Sequence, residues 1–176
     1  LTMTEAEKAV LGSFGVPPER VTVIGHGPTI LPDANGAAFR ARYGIGDHPM
    51  VLFLGQKYRY KGYEALLEAA HAVWSQRPQV RFVFVGPRTS ESERVFSSVT
   101  DRRVIELGSV SLEEKCDALD ACSALAMVST QESFGGVYVE AWMYGKPVVG
   151  GNIPSIASVI DHGHNGLVVH QRPDVI

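Results

Sequence analysis

The sequence predicts an α/β fold: a doubly wound, Rossmann-like parallel sheet with helices on both faces. Three observations carry that expectation. Short β-rich runs alternate with longer segments of helical periodicity, the pattern of repeated βαβ units. Most of the runs are too apolar to have a wet face, as strands covered on both sides must be. The chain has 176 residues and is 45% hydrophobic, enough for one sizeable core and too little for two complete domains.

Taken in order, the candidate strands are Val21 to Ile24, Met50 to Leu54, Arg81 to Val85, Val104 to Leu107, Ala124 to Val128, Pro147 to Val149 and Leu167 to Val169. Between the second and third, Tyr63, Leu66, Leu67, Ala70, Val73 and Trp74 recur at steps of three and four, so they share one face of a helix. Arg77-Pro78 ends it. A second helix opens at Ser111-Leu112-Glu113-Glu114, where the serine and the glutamate three residues on can satisfy each other's exposed backbone donors. A third follows Gly135-Gly136 and runs to about Tyr144, and a fourth begins near Pro154, whose fixed φ and missing N–H suit a first turn. Pro28 to Gly36 reads as a loop.

A formal charge of -3 and a pI near 6.1 argue against nonspecific binding to nucleic acid or anionic lipid. No window approaches the roughly 18 to 20 apolar residues of a membrane helix, and the start lacks a basic and then apolar leader pattern. Only Cys116 and Cys122 are present, both in a helical segment, so a reduced, cytoplasmic setting is expected. The chain starts at Leu1 and stops at Ile176 soon after an apolar run, and a piece of a longer protein is therefore expected.

Ligands of such sheets sit outside the carboxyl ends of the strands, which directs attention to the loops after Leu54, Val85, Leu107 and Val128. The last of these runs from Ser129 to Glu140 and holds Glu132 and Glu140 with seven residues between them. Glu132 is expected in the loop and Glu140 about one turn into the following helix, so both can face one cleft. Gly135-Gly136 lets a ligand approach the backbone and feeds a helix start whose free N–H groups suit a phosphate. The loop after Leu54 reads Gly55-Gln56-Lys57-Tyr58-Arg59-Tyr60-Lys61-Gly62, three cations that could neutralise a diphosphate leaving group.

The stretch Glu132-Ser133-Phe134-Gly135 with Glu140-Ala141 resembles the E-x7-E motif of family-four retaining glycosyltransferases of the GT-B type. Lys61-Gly62 matches the lysine of that family's G-R-x4-K-G pattern, Gly145-Lys146-Pro147-Val148-Val149 and Gly163-His164-Asn165-Gly166-Leu167-Val168-Val169 keep its order, and Thr4-Glu5-Ala6-Glu7, Val16 to Val21 and Phe39-Arg40 look like its approach to the second domain. The resemblance implies a donor-binding half. Residues 1–24 would be a linker or hinge segment and first strand arriving from a missing N-terminal acceptor domain, and residues 25–176 the nucleotide-sugar-binding domain, truncated at its C-terminus. Glu132 would lie against the donor sugar and Lys61 on the leaving diphosphate, the two catalytic candidates. Glu140 would hold the ribose hydroxyls. Gly55, Phe134, Gly135, Gly136, Val137 and Val110 would complete donor binding, the base resting on the loops after Val85 and Leu107. Gln56 stands where the pattern has arginine; Lys57 and Arg59 are either compensating cations or, the preferred reading, plain surface charges. His26 falls at the family's interdomain hinge, where a structural or capping role is preferred to a catalytic one.

The implied donor is a nucleoside-diphosphate sugar, UDP-sugar before GDP-sugar, with no separate cofactor and with membrane contact only through the missing domain. Neither H-E-x-x-H nor a clustered Cys/His spacing occurs, so no metal site is expected. A nicotinamide-dehydrogenase domain shares the fold class, but Ile30 occupies the third glycine position after Gly25 and Gly27, and Leu31-Pro32-Asp33 is no helix start. A non-catalytic sugar-nucleotide-binding module is the other alternative, and the pair Glu132 and Glu140 argues for the enzyme.

Overall fold

A computed structural model describes residues 1–174 and 176. Six strands, β1 (Met50–Leu54), β2 (Arg81–Val85), β3 (Val104–Leu107), β4 (Ala124–Met127), β5 (Val148–Gly151) and β6 (Leu167–Val169), form one sheet in the order β3-β2-β1-β4-β5-β6. Every pairing is parallel. Seven α-helices accompany it: α1 (Glu5–Ser13), α2 (Gly36–Arg42), α3 (Tyr63–Gln76), α4 (Ser90–Ser97), α5 (Leu112–Ala121), α6 (Gly136–Met143) and α7 (Pro154–Ala157). The predicted doubly wound class is the observed one, and the strand order reverses between β1 and β4, where such sheets open a crevice.

The central strands are buried because both faces are covered: Leu52, Phe53, Phe82, Val83, Phe84, Val85 and Leu125 are essentially inaccessible. The face of α3 carrying Tyr63, Leu66, Ala70 and Trp74 closes over them, each large side chain contributing roughly 1.5 to 3 kcal/mol by burial. Trp74 Nε1 donates to Val80 O at 2.9 Å, which satisfies its one polar atom.

Two expectations are corrected. Val21 to Ile24 is not a strand: only an isolated parallel bridge joins Val23 to Thr2, and Ile24 is exposed. The run is β-rich in composition but has no ladder beside it to join, and so the sheet begins at Met50. At α5, Ser111 accepts from Glu114 N as expected, but Glu114 does not return the bond; its carboxylate is taken by Tyr43 and Arg42 of the α2 end. The helices α1, α2 and α4 were not anticipated. Each is short and has a side-chain cap, from Thr4, Asn35 and Thr89, and none buries enough of one face to leave a clear period.

Candidate functional site

Lys61 and Glu132 come from loops about seventy positions apart and are brought into contact by backbone bonds. Thr130 N donates to Tyr60 O at 2.8 Å, tying the loop after β4 to the turn before α3. Ser155 Oγ donates to Glu132 O at 2.6 Å and anchors that loop on α7. Lys61 Nζ then meets Glu132 Oε2 at 2.6 Å, both side chains mostly sheltered. Gly62 sits at φ +84°, where a Cβ would fall 2.6 Å from Val128 Cγ2, so the lysine turn passes the β4 end at a distance only glycine permits.

Helix α6 begins at Gly135, φ +76°, with no side-chain cap; a Cβ there would overlap the Tyr138 ring. The helices α1, α2, α4 and α5 all carry side-chain caps. Tyr138 N donates to Gly135 O at 3.0 Å, while the N–H groups of Gly136 and Val137 have no side-chain cap and lie where the helix dipole favours an anion. Phe134 precedes this turn, in edge contact with His26 at 6.2 Å between centroids, and the His26 ring stands over Gly136. His26 thus occupies a packing position at the helix start.

Glu140 lies one turn further along α6. Its Oε1 accepts from Lys115 Nζ at 2.7 Å and from Thr29 N at 3.2 Å, and Lys115 Nζ also donates to Thr29 O at 2.7 Å. Three segments that are distant in sequence meet here. Among the described residues Oε2 has no hydrogen-bond partner.

Beside Glu140, a cavity of about 350 Å³ opens at the carboxyl ends of β1 and β2, its lining including Gly55, Gly86, Val110, Lys115, Val137 and Glu140. The loops that frame it are pinned from below by Lys57, which is wholly buried. Its ammonium donates to Gly86 O at 2.5 Å and Leu107 O at 2.6 Å and pairs with Glu106 at 2.8 Å; Arg88 closes on the same carboxylate at 2.8 Å. Burial pushes the Lys57 pKa down, with the Glu106 contact opposing it. Burial pushes Glu106 up, but hydrogen bonds from Arg88 and Lys57 outweigh it and hold the carboxyl below its usual range.

The reading of Lys57 as a surface charge is therefore corrected: this lysine is an interior cation, its ammonium engaged by three protein oxygens. Arg59 is largely exposed and is engaged by Glu64 and Glu91. Gln56 is exposed. The structure brings Lys61, Glu132, Gly135, Gly136 and Glu140 to the sheet's carboxyl edge, with Gly55, Val110 and Val137 around the adjoining cavity. Sequence reasoning missed Lys115, Thr29, Glu106 and Arg88. Nothing in their spacing signals them, since they meet only after α5 has packed on α6 and β3 on β2. The loop from Gly25 to Asp33 contains no helix, so the dinucleotide-binding alternative lacks its helix start. Among the described residues no group of three or more His, Cys, Asp or Glu side chains clusters as a metal site, and no helix is long and apolar enough to cross a membrane.

A larger cavity of about 790 Å³ lies at the chain start, between α1 and the Glu132 loop, its lining including Leu1, Val10, Leu11, Ile24 and Pro154. Leu1, Val10 and Ile24 of that lining are exposed, as is Phe14 just beyond the end of α1.

A family model described as glycosyl transferases group 1 matches residues 48–175. The D-inositol 3-phosphate glycosyltransferase of Thermobispora bispora is 31% identical over 96% of the chain and 42% of its own length, so the chain spans about two fifths of that relative. Among solved structures, HepE of Anabaena in complex with UDP-glucose superposes with a TM-score of 0.81 at 23% identity, over 96% of this chain and 49% of that one. The C-terminal domain of a group 1 family glycosyl transferase from Francisella tularensis, LpcC, superposes with a TM-score of 0.63 at 18% identity, over 81% and 83%. At these identities the superpositions establish the fold.

Proposed function

Because the chain belongs to the group 1 glycosyl transferases, we propose that it supplies the donor-binding half of a retaining glycosyltransferase. The reaction moves a hexose-type unit from a nucleoside-diphosphate sugar to an acceptor hydroxyl. The observation that carries this reading is the convergence of Lys61, Glu132, Glu140 and the uncapped start of α6 on one sheet edge, beside a cavity of a size for a nucleobase. UDP-sugar is the favoured donor, in keeping with the UDP-glucose bound by the Anabaena neighbour.

In this reading the bond from the anomeric carbon to the diphosphate oxygen breaks, and its electron pair stays on the diphosphate. Lys61 and the α6 N–H groups bear the growing charge. The acceptor oxygen bonds to the anomeric carbon from the face the phosphate leaves, and its proton passes to a phosphate oxygen. No protein nucleophile takes part. Glu132 orients the sugar and supports positive charge on its ring, while Glu140 holds the ribose. The acceptor is presented by a further domain, and the exposed apolar side chains Leu1, Val10, Phe14 and Ile24 form the face on which it rests, with residues 1–24 as the approach between the two.

Calorimetry on the chain tests the donor seat. UDP binding in the micromolar to millimolar range is expected, on the order of common KM values. Product assays are expected to show no transfer, since positioning the acceptor contributes up to roughly 7 to 11 kcal/mol and its holder is elsewhere. In the longer enzyme, Glu132→Ala lowers kcat on the order of a hundredfold with UDP affinity nearly unchanged. A chain that binds no nucleoside diphosphate, or an unimpaired Glu132→Ala enzyme, defeats the proposal.

A further inference from the structure

Lys115 touches both the proposed ribose carboxylate and the loop that crosses in front of it, a role outside the motif residues. Its side chain is 21% exposed and that of Glu140 13%, so this pair is largely shielded from water and from screening ions, unlike a surface ion pair. Two donors, Lys115 Nζ and Thr29 N, converge on the same oxygen, Oε1. Rotation of the carboxylate would break both bonds. The other oxygen, Oε2, is left without a protein partner among the described residues, on a side chain that lines the 350 Å³ cavity.

A carboxylate oxygen has two lone pairs, so Oε2 alone can accept from both hydroxyls of a vicinal diol. We infer that Lys115 is a positioning residue for diol recognition: it fixes Glu140 through Oε1 and so aims Oε2 at the 2′ and 3′ hydroxyls of a bound nucleotide's ribose. The inference rests on the reading of Glu140 as the ribose carboxylate. Its own content is that the selectivity for a ribose diol depends on a lysine that acts on the diol through Glu140, although its stem also lines the adjoining cavity.

The experiment is calorimetry of the chain with UDP and with 2′,3′-dideoxy-UDP, which shares base and diphosphate and lacks the diol. The wild type is expected to prefer UDP by about 10- to 100-fold, the scale of hydrogen bonds to a charged group. Lys115→Met should reduce that preference to about threefold or less, with a clearly larger loss for UDP than for dideoxy-UDP since the side chain also lines the cavity, and Lys115→Arg, which keeps a donor cation, should restore most of it. A fold contact without this role would weaken both ligands alike, so equal losses overturn the inference. It is also overturned if Lys115→Met keeps the full preference while Glu140→Gln abolishes it, and in that case the reading of Glu140 stands. If Glu140→Gln keeps the preference, the reading of Glu140 fails, and this inference with it. Thermal melting of each variant identifies the ones that are folded, and Lys115→Gln replaces Lys115→Met should the latter not fold.

Discussion

The buried cation under the cavity makes a prediction with an unusual sign. Glu106→Gln keeps shape and an accepting oxygen but removes the charge that faces Lys57, leaving an ammonium with no solvent access and only neutral partners, Gly86 O and Leu107 O among them. Removing one member of a buried pair costs about 3 to 5 kcal/mol; with two carbonyls retained, about 3 kcal/mol is expected. At about 2 to 4 °C per kcal/mol for a chain of this size, Tm drops by roughly 6 to 12 °C. Adding Lys57→Met then removes the stranded charge at similar volume. The double variant should be more stable than Glu106→Gln alone, by on the order of 1 kcal/mol, so that the second substitution repairs the first. Urea titration of the four chains measures the cycle. The pH dependence adds a check. Lys57 is held below its ordinary value, so between its folded and unfolded values the unfolded chain binds the extra proton and stability rises with pH. Losing Glu106 deepens the depression, and the gap between wild type and Glu106→Gln should narrow as pH rises from neutrality. A double variant as unstable as the sum of its parts would refute the reasoning.

Three further outcomes are expected. Lys61→Ala should weaken UDP binding about ten- to a hundredfold and UMP binding less, measured by calorimetry, because its proposed partner is the leaving phosphate; equal losses would place it elsewhere. Transfer by the longer enzyme should survive EDTA in product assays, with loss of activity restored by magnesium or manganese as the contrary result. Burial pushes the Cys122 thiol up to about 12 from an ordinary 9, so the unfolded chain releases a proton that the folded chain keeps. Stability should fall as pH rises through that interval, and Cys122→Ala should flatten the fall in pH-resolved urea titrations.

The sheet was legible because its strands announce themselves: Phe82 to Val85 are buried on both faces and read as an unbroken apolar run. Val21 to Ile24 has the same local composition, and only the absence of a neighbouring ladder distinguishes it, which the linear sequence does not encode. Lys61, Glu132 and Glu140 were legible for a different reason. Lys61 directly precedes Gly62 in the loop after β1, and Glu132 and Glu140 bracket Gly135-Gly136 after β4 with a spacing that is local. Lys57 was misread because a lysine between polar and aromatic neighbours looks solvated. What buries it is Glu106, which stands in β3, where a strand side chain with no apolar character could have been questioned. Lys115 and Thr29 depend on how α5 crosses α6, a distance no periodicity reports.

The pairing of Lys61 with Glu132 and of Lys115 with Glu140 has a kinetic consequence. The cleft contains two cations and two anions in contact, so the field of these side chains nearly cancels a few ångströms away. A nucleoside diphosphate arriving at such a cleft in a chain of net charge -3 is not drawn in from a distance. On the proposed reading, the ammonium of Lys61 would exchange one anionic partner, Glu132, for another, the diphosphate, after contact. Discrimination between ligands would then lie in their release more than in their capture.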